Sequence, residues 1–164
     1  MKNNLGNVVS GATVKLYLEY ADLQRDIDQI GITKTTDANG KVVFDNLSPV
    51  KYYWFAESDC MNNYNGGVTT VDALTENFNN TSTTVISSTG TLAFVNNSTN
   101  PYAVYINGTY EFDAAGGETS HSNYRPTGSY SIRVLQESGY LIYPTDQTYT
   151  GTLECGQTLT TTFP

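Results

Sequence analysis

An all-β protein of two tandem β-sandwiches, residues 1–89 and 90–164, is what three observations on this chain predict. The first is a repeated strand-entry device. Pro49 leads into Val50-Lys51-Tyr52-Tyr53-Trp54-Phe55-Ala56, and Pro126 leads through Thr127-Gly128-Ser129 into Tyr130-Ser131-Ile132-Arg133-Val134. Proline fixes φ and removes a donor at the turn, so pairing begins directly after it. The second is vocabulary: 14 Gly, 13 Tyr and abundant Thr and Asn, against only 8 Lys plus Arg, suit strands and turns rather than helices. The third is Asn107-Gly108, the strongest short hairpin signal in the chain, set between residues 102–106 and 109–113. Sandwich domains of ~100 residues or fewer make two such units feasible in this length.

Each element follows from local pattern. Residues 12–19 alternate, with Val14, Leu16 and Leu18 on one face and Thr13, Lys15 and Tyr17 on the other. Residues 20–30 place Leu23, Ile27 and Ile30 at helical spacing before Gly31, enough for a short helical turn over a sheet edge. Residues 32–36 and 41–44 form a hairpin about Asp37-Ala38-Asn39-Gly40. In the first tyrosine strand, Tyr52, Trp54 and Ala56 share one face and Tyr53, Phe55 and Glu57 the other; both are bulky, which predicts a strand covered on both sides. A short strand at 68–72 and another at 83–87 close the first half, with Ser88-Thr89-Gly90 as the boundary linker. Strands at 91–95, 102–106, 109–113, 129–136, 148–154 and 158–163 make the second half, residues 114–125 being a polar loop. The expected core is Val14, Leu16, Leu18, Val43, Trp54, Leu92, Phe94, Val104, Ile106, Tyr130, Ile132 and Val134.

The formal charge of −8 excludes the clustered cations of a nucleic-acid binder. The charge divides evenly, 6 basic and 10 acidic groups in residues 1–89 and 2 and 6 in residues 90–164. No run approaches the ~18 apolar residues of a membrane span. The abrupt opening Met1-Lys2-Asn3-Asn4 suggests a piece of a longer surface protein whose signal or anchor lies elsewhere. Cys60 and Cys155 form an even pair, compatible with one disulfide in an oxidising compartment or with two separate buried thiols.

The first half resembles the carboxypeptidase-regulatory-like, transthyretin-like sandwich of bacterial surface proteins. The resemblance rests on Gly11-Ala12-Thr13-Val14-Lys15-Leu16-Tyr17, on Thr35 through Phe44, and on Leu47-Ser48-Pro49-Val50-Lys51-Tyr52, where Val50 stands in place of the family's usual glycine. The second half resembles the surface β-domain named for its Pro-Glu-Gly-Ala motif, through Ala103 to Gly108, Pro126 to Tyr130 and Gly139-Tyr140, although the name-giving motif is absent. Both resemblances imply Ig-like or transthyretin-like (prealbumin-like) folds. They imply an extracellular, cell-surface or periplasmic module that spaces, presents or docks other domains or proteins, and no enzyme chemistry or cofactor.

No catalytic, cofactor or metal residue stands out. His121, the one histidine, sits between Ser120 and Ser122 in a polar stretch without a carboxylate orienter. Asp22, Asp26 and Asp28 lack the glycine and spaced oxygens of a calcium loop, and Gly116-Gly117 lacks the Lys-Ser or Lys-Thr of a phosphate cradle. Collagen-adhesin B-type domains of this fold join a lysine to an Asn or Asp beside a glutamate. Lys2 and Glu57 are the nearest equivalents here, but the glutamate register falls on Ala56 and no Asn stands on the 83–87 strand. Sugar binding is the alternative function. Tyr53 with Phe55, or Tyr102, Tyr105 and Tyr110, would supply aromatic faces for a glycan, where the plainer reading is ordinary sheet packing with wet hydroxyls.

Overall fold

Alternating burial runs through most of this chain, and it is satisfied by strands. The computed structural model describes residues 1–66, 72–76 and 78–164. In it the described elements run β1 (Lys2–Asn3), β2 (Thr13–Tyr17), α1 (Tyr20–Arg25), β3 (Ile30–Thr35), β4 (Tyr53–Ser58), β5 (Met61–Asn62), β6 (Val85–Asn96), β7 (Tyr102–Ile106), β8 (Thr109–Ala114), β9 (Thr119–Pro126), β10 (Gly128–Gln136), β11 (Asp146–Leu153) and β12 (Thr158–Phe163). They divide into two compact units, Met1–Ser87 and Ser88–Pro164.

In the first unit β2 pairs antiparallel with β3 and β4, and β4 with β5, giving the order β3-β2-β4-β5. β1 runs parallel to the start of β6, Lys2 opposite Val85 and Asn3 opposite Ile86. Val14, Leu16, Tyr52, Trp54, Ala56 and Ile86 form the core together with Val9 and Ala12. Its other side is closed by Val42, Phe44, Leu47 and Leu74, which lie in segments without ladder pairing. The opposite face of the same sheet carries a second cluster, Tyr17, Phe55 and Leu23 of α1, so the first tyrosine strand is covered on both sides as its two bulky faces demand. The helical turn stops at Asp26, whose φ of 54° is left-handed, five residues before Gly31. Ile27 is consequently left exposed.

The second unit repeats this pairing scheme. β7 pairs with β8 and β10, and β10 with β11, giving β8-β7-β10-β11. A three-stranded sheet sets β6 between antiparallel β9 and parallel β12. In both units, then, the first and last strands run parallel. Leu92, Phe94, Val104, Ile106, Tyr130, Ile132, Val134, Leu153 and Phe163 fill the core. The hairpin turn adopts positive φ at Asn107 (50°) and Gly108 (84°), the conformation that Asn-Gly favours.

Several expectations need correction. Leu18 and Val43 are exposed rather than core. β2 ends at Tyr17, which leaves Leu18 in the bend entering α1. Along residues 41–44 it is Val42 and Phe44 that turn inward, a one-residue slip that puts Val43 outside. That segment also makes no strand pairing. The Lys34 ammonium instead donates to the Val43 carbonyl (2.6 Å) and lies over the Phe44 ring (5.2 Å). Residues 88–90 are no turn but the middle of β6. Gly90 serves close approach there, since a Cβ would come within 2.7 Å of the Gln157 carbonyl and 2.8 Å of Leu153 Cδ1. The polar loop expected at 114–125 is largely β9. The strand expected at 68–72 falls at residues 68–71 outside the described part.

Candidate functional site

Four consecutive exposed apolar side chains occupy the loop between β10 and β11. Tyr140, Leu141, Ile142 and Tyr143 stand in a row between Gly139 and Pro144; Leu141 is fully exposed, Tyr143 84 % and Ile142 78 %. The base of this loop is tied down. Gln136, buried at the end of β10, does this from both sides: its Oε1 accepts from the Thr145 N–H (3.1 Å), its Nε2 donates to the Ser138 carbonyl (2.9 Å), and its own N–H donates to the Thr145 carbonyl (2.8 Å). Glu137 N–H donates to the Pro101 carbonyl (3.0 Å). Gly139, at φ +79°, lies so near Asn100 that a Cβ would sit 2.0 Å from its Oδ1. The Asn100 carbonyl accepts in turn from Asn96 Nδ2 (2.8 Å), and that same nitrogen donates to the Ala114 and Ala115 carbonyls. The result is a hydrogen-bonded base carrying an apolar tip, a shape suited to docking. Sequence reasoning assigned this stretch no element and used only Gly139-Tyr140, as part of a resemblance; the apolar run bounded by Gly139 and Pro144 was the available signal.

A second feature lies on the outward face of the β8-β7-β10-β11 sheet. Tyr105 and Tyr110 meet edge to face, centroids 5.8 Å apart, and the Arg133 guanidinium lies 5.2 Å from the centre of the Tyr105 ring. Asp146 holds Arg133 through two hydrogen bonds of 2.8 and 2.7 Å, and this pairing lowers the Asp146 pKa. A hydrogen bond with Asp113, followed by burial, raises that of Tyr110. Of the tyrosines considered for a sugar platform, the structure thus unites Tyr105 and Tyr110. Tyr102 is instead buried against Phe163, and Phe55 is buried beneath α1, leaving Tyr53 half-buried beside Tyr20 and Lys51.

The remaining candidates are dispersed. His121 is exposed on β9 opposite Ala93. Asp26 turns away from Asp22 and Asp28 to accept from Lys15 Nζ (2.6 Å) and the Tyr17 hydroxyl (2.5 Å), the contacts that lower its pKa, Lys15 first. Among the described residues no group of three or more His, Cys, Asp or Glu converges on a metal-sized site. Lys2 is exposed opposite Val85, with Ile86 next in register, and Glu57 accepts weakly from Thr13 Oγ1 (3.5 Å), so the isopeptide reading finds no Asn or Asp opposite Lys2 on β6. Gly116 packs its Cα against the Thr99 backbone, 2.4 Å from where a Cβ would stand. Both cysteines are disulfide-bonded, and neither is a free thiol.

The first unit joins parallel first and last strands to an antiparallel β3-β2-β4-β5 sheet, and the family model for the SpaA prealbumin-like fold domain matches residues 2–91. The chain belongs to that family. SpaA-type domains are typical of bacterial surface proteins and are generally non-catalytic. No curated protein and no solved structure matches this SpaA-type chain. Among its described residues no helix is long and apolar enough to cross a membrane.

Proposed function

We propose that this chain is a non-enzymatic module of a bacterial cell-surface or periplasmic protein, acting as a spacer, presentation or protein-interaction domain within a larger protein. The observation that carries this reading is the apolar tip Tyr140–Tyr143 on its hydrogen-bonded base. Disulfide bonding of both cysteines supports an oxidising location outside the cytoplasm. In this reading residues 1–89 are a carboxypeptidase-regulatory-like sandwich and residues 90–164 a PEGA-like one. The pairing scheme common to the two units supports a pair of related sandwiches. The partners are other domains or proteins at the cell surface.

Carbohydrate binding, as a lectin-like or adhesin module, is the second reading, favoured by the Tyr105, Tyr110 and Arg133 face. One experiment separates the two. The chain is immobilised and tested against a glycan array and against an extract of the parent cell surface. A Leu141→Asp/Ile142→Asp variant should keep its melting temperature, because both side chains are exposed, and lose retention of the surface extract. A Tyr105→Ala/Tyr110→Ala variant should retain it. A glycan hit abolished only by the tyrosine variant would transfer the function to the sheet face.

A further inference from the structure

In the second unit three of the four sheet edges carry devices that discourage further pairing. β9 holds His121, Arg125 and Pro126, with a register shift between Gly90 and Leu92 on its partner. β8 holds Glu111 and Asp113 with a shift between Val104 and Tyr105, and β11 begins with Asp146 and contains Gly151. β12 has none of these. Thr158-Leu159-Thr160-Thr161-Thr162-Phe163 contains no charge, proline or glycine, and its register with β6 is unbroken from Thr158–Thr91 to Phe163–Asn96. Natural sheets seldom leave an edge so open.

The geometry of that edge is specific. The Gln157 carbonyl accepts from Thr91 N–H and the Phe163 carbonyl from Asn97 N–H, both at 2.9 Å, so the odd-numbered peptide groups face β6. Those of Thr158, Thr160 and Thr162 therefore face the open edge. Beside it lies a cleft of about 130 Å³, lined by Ile132, Tyr149, Gly151, Leu159 and Thr161. The unit that carries this edge is acidic. The 2 basic and 6 acidic groups of residues 90–164 leave this unit at −4, Arg125 and Arg133 are already paired with Glu111 and Asp146, and the exposed Glu154 stands in the turn that leads into β12.

We propose that β12 is a strand acceptor: an extended segment of another polypeptide, apolar at alternate positions and flanked by lysine or arginine, adds to its free edge and sets one aliphatic side chain into the cleft. Main-chain hydrogen bonds to Thr158, Thr160 and Thr162 supply register, the cleft supplies selectivity, and the acidic unit, with Glu154 beside the edge, favours basic flanks. The inference deepens the protein-interaction role proposed above and rests on it.

The test titrates the full chain with the synthetic peptide Lys-Thr-Val-Thr-Val-Thr-Lys and follows amide hydrogen exchange by NMR. Exchange at Thr158, Thr160 and Thr162 should slow by about tenfold or more on saturation, and a Glu-flanked peptide should bind about tenfold more weakly at low salt. Thr160→Pro removes a donor that faces the open edge, so the fold should persist while binding is lost. Thr160→Lys, which leaves every backbone donor in place, should also abolish it. The Leu141→Asp/Ile142→Asp variant should bind the peptide normally. Unchanged exchange at the three threonines, or binding by either Thr160 variant as tight as that of the unsubstituted chain, overturns the proposal. Protection that grows with protein concentration in the absence of peptide also overturns it, by making a second copy the occupant. Undiminished retention of the surface extract by the Leu141→Asp/Ile142→Asp variant sinks the loop reading and leaves the edge standing.

Discussion

Asp26 shows how much a single side chain does in this fold. It ends α1 in the left-handed conformation, which Asp and Asn tolerate through local hydrogen bonding, and its carboxylate ties Lys15 and the buried Tyr17 of β2 to that turn. The lowered pKa gives the linkage a sign: the stabilisation is present above the ordinary carboxylate range and fades as pH falls through the folded-state value. Asp26→Asn keeps the backbone geometry and removes the charge. It should destabilise the protein by about 0.5–1 kcal/mol near neutral pH, a modest figure because the carboxylate is largely solvent-exposed. The deficit should shrink towards pH 3, as thermal unfolding across pH would read. From sequence Asp26 was one of three neighbouring acids, and only the fold turns it towards Lys15 and Tyr17. The same holds for Gly139, an ordinary loop glycine until Asn100 is seen packed against it.

At the scale of elements, alternation was informative wherever one face was apolar. Trp54 and Ala56 pack inward and Phe55 packs under Leu23, as the two faces of the tyrosine strand required. The strand is held further by Asn63, whose Nδ2 donates to the Trp54 carbonyl (3.1 Å) and whose Oδ1 accepts from Ala56 N–H (2.8 Å). Trp54→Ala should therefore cost about 3–5 kcal/mol in chemical denaturation, as large core truncations do; an unchanged midpoint would remove Trp54 from the core. β9 was invisible for the converse reason. Its residues are polar on both faces and none is fully buried, so no periodic apolar signal exists and only pairing with β6 makes it a strand. Residues 41–44 failed differently, because a real inward-outward alternation was read one position out of phase.

Among the described residues, two clusters of buried side chains serve the first compact unit and one the second, and the acidic balance is shared between the units. Both cysteines sit in disulfide linkage. A thiol reagent added to the denatured, unreduced chain should therefore find no reactive cysteine, and after reduction it should find both, Cys60 and Cys155. Reactive thiols before reduction would argue against the oxidising location proposed for this module. Surface exposure of the Tyr140–Tyr143 tip is also a property of the whole fold, because the loop that carries these apolar side chains is tied at its base to Gln136, Pro101 and Asn100.

The amino-acid sequence by itself determined the all-β class, the strand-entry prolines, the Asn107-Gly108 hairpin and most of both cores, since these depend on neighbours along the chain. Tertiary structure alone decided that Ser88 to Gly90 continue a strand, that Tyr102 is buried while Tyr105 and Tyr110 meet, and that β12 ends a sheet with an open edge. Those outcomes depend on which backbone lies alongside which, and period-two patterning says which side of a strand is apolar without saying what will stand beside it.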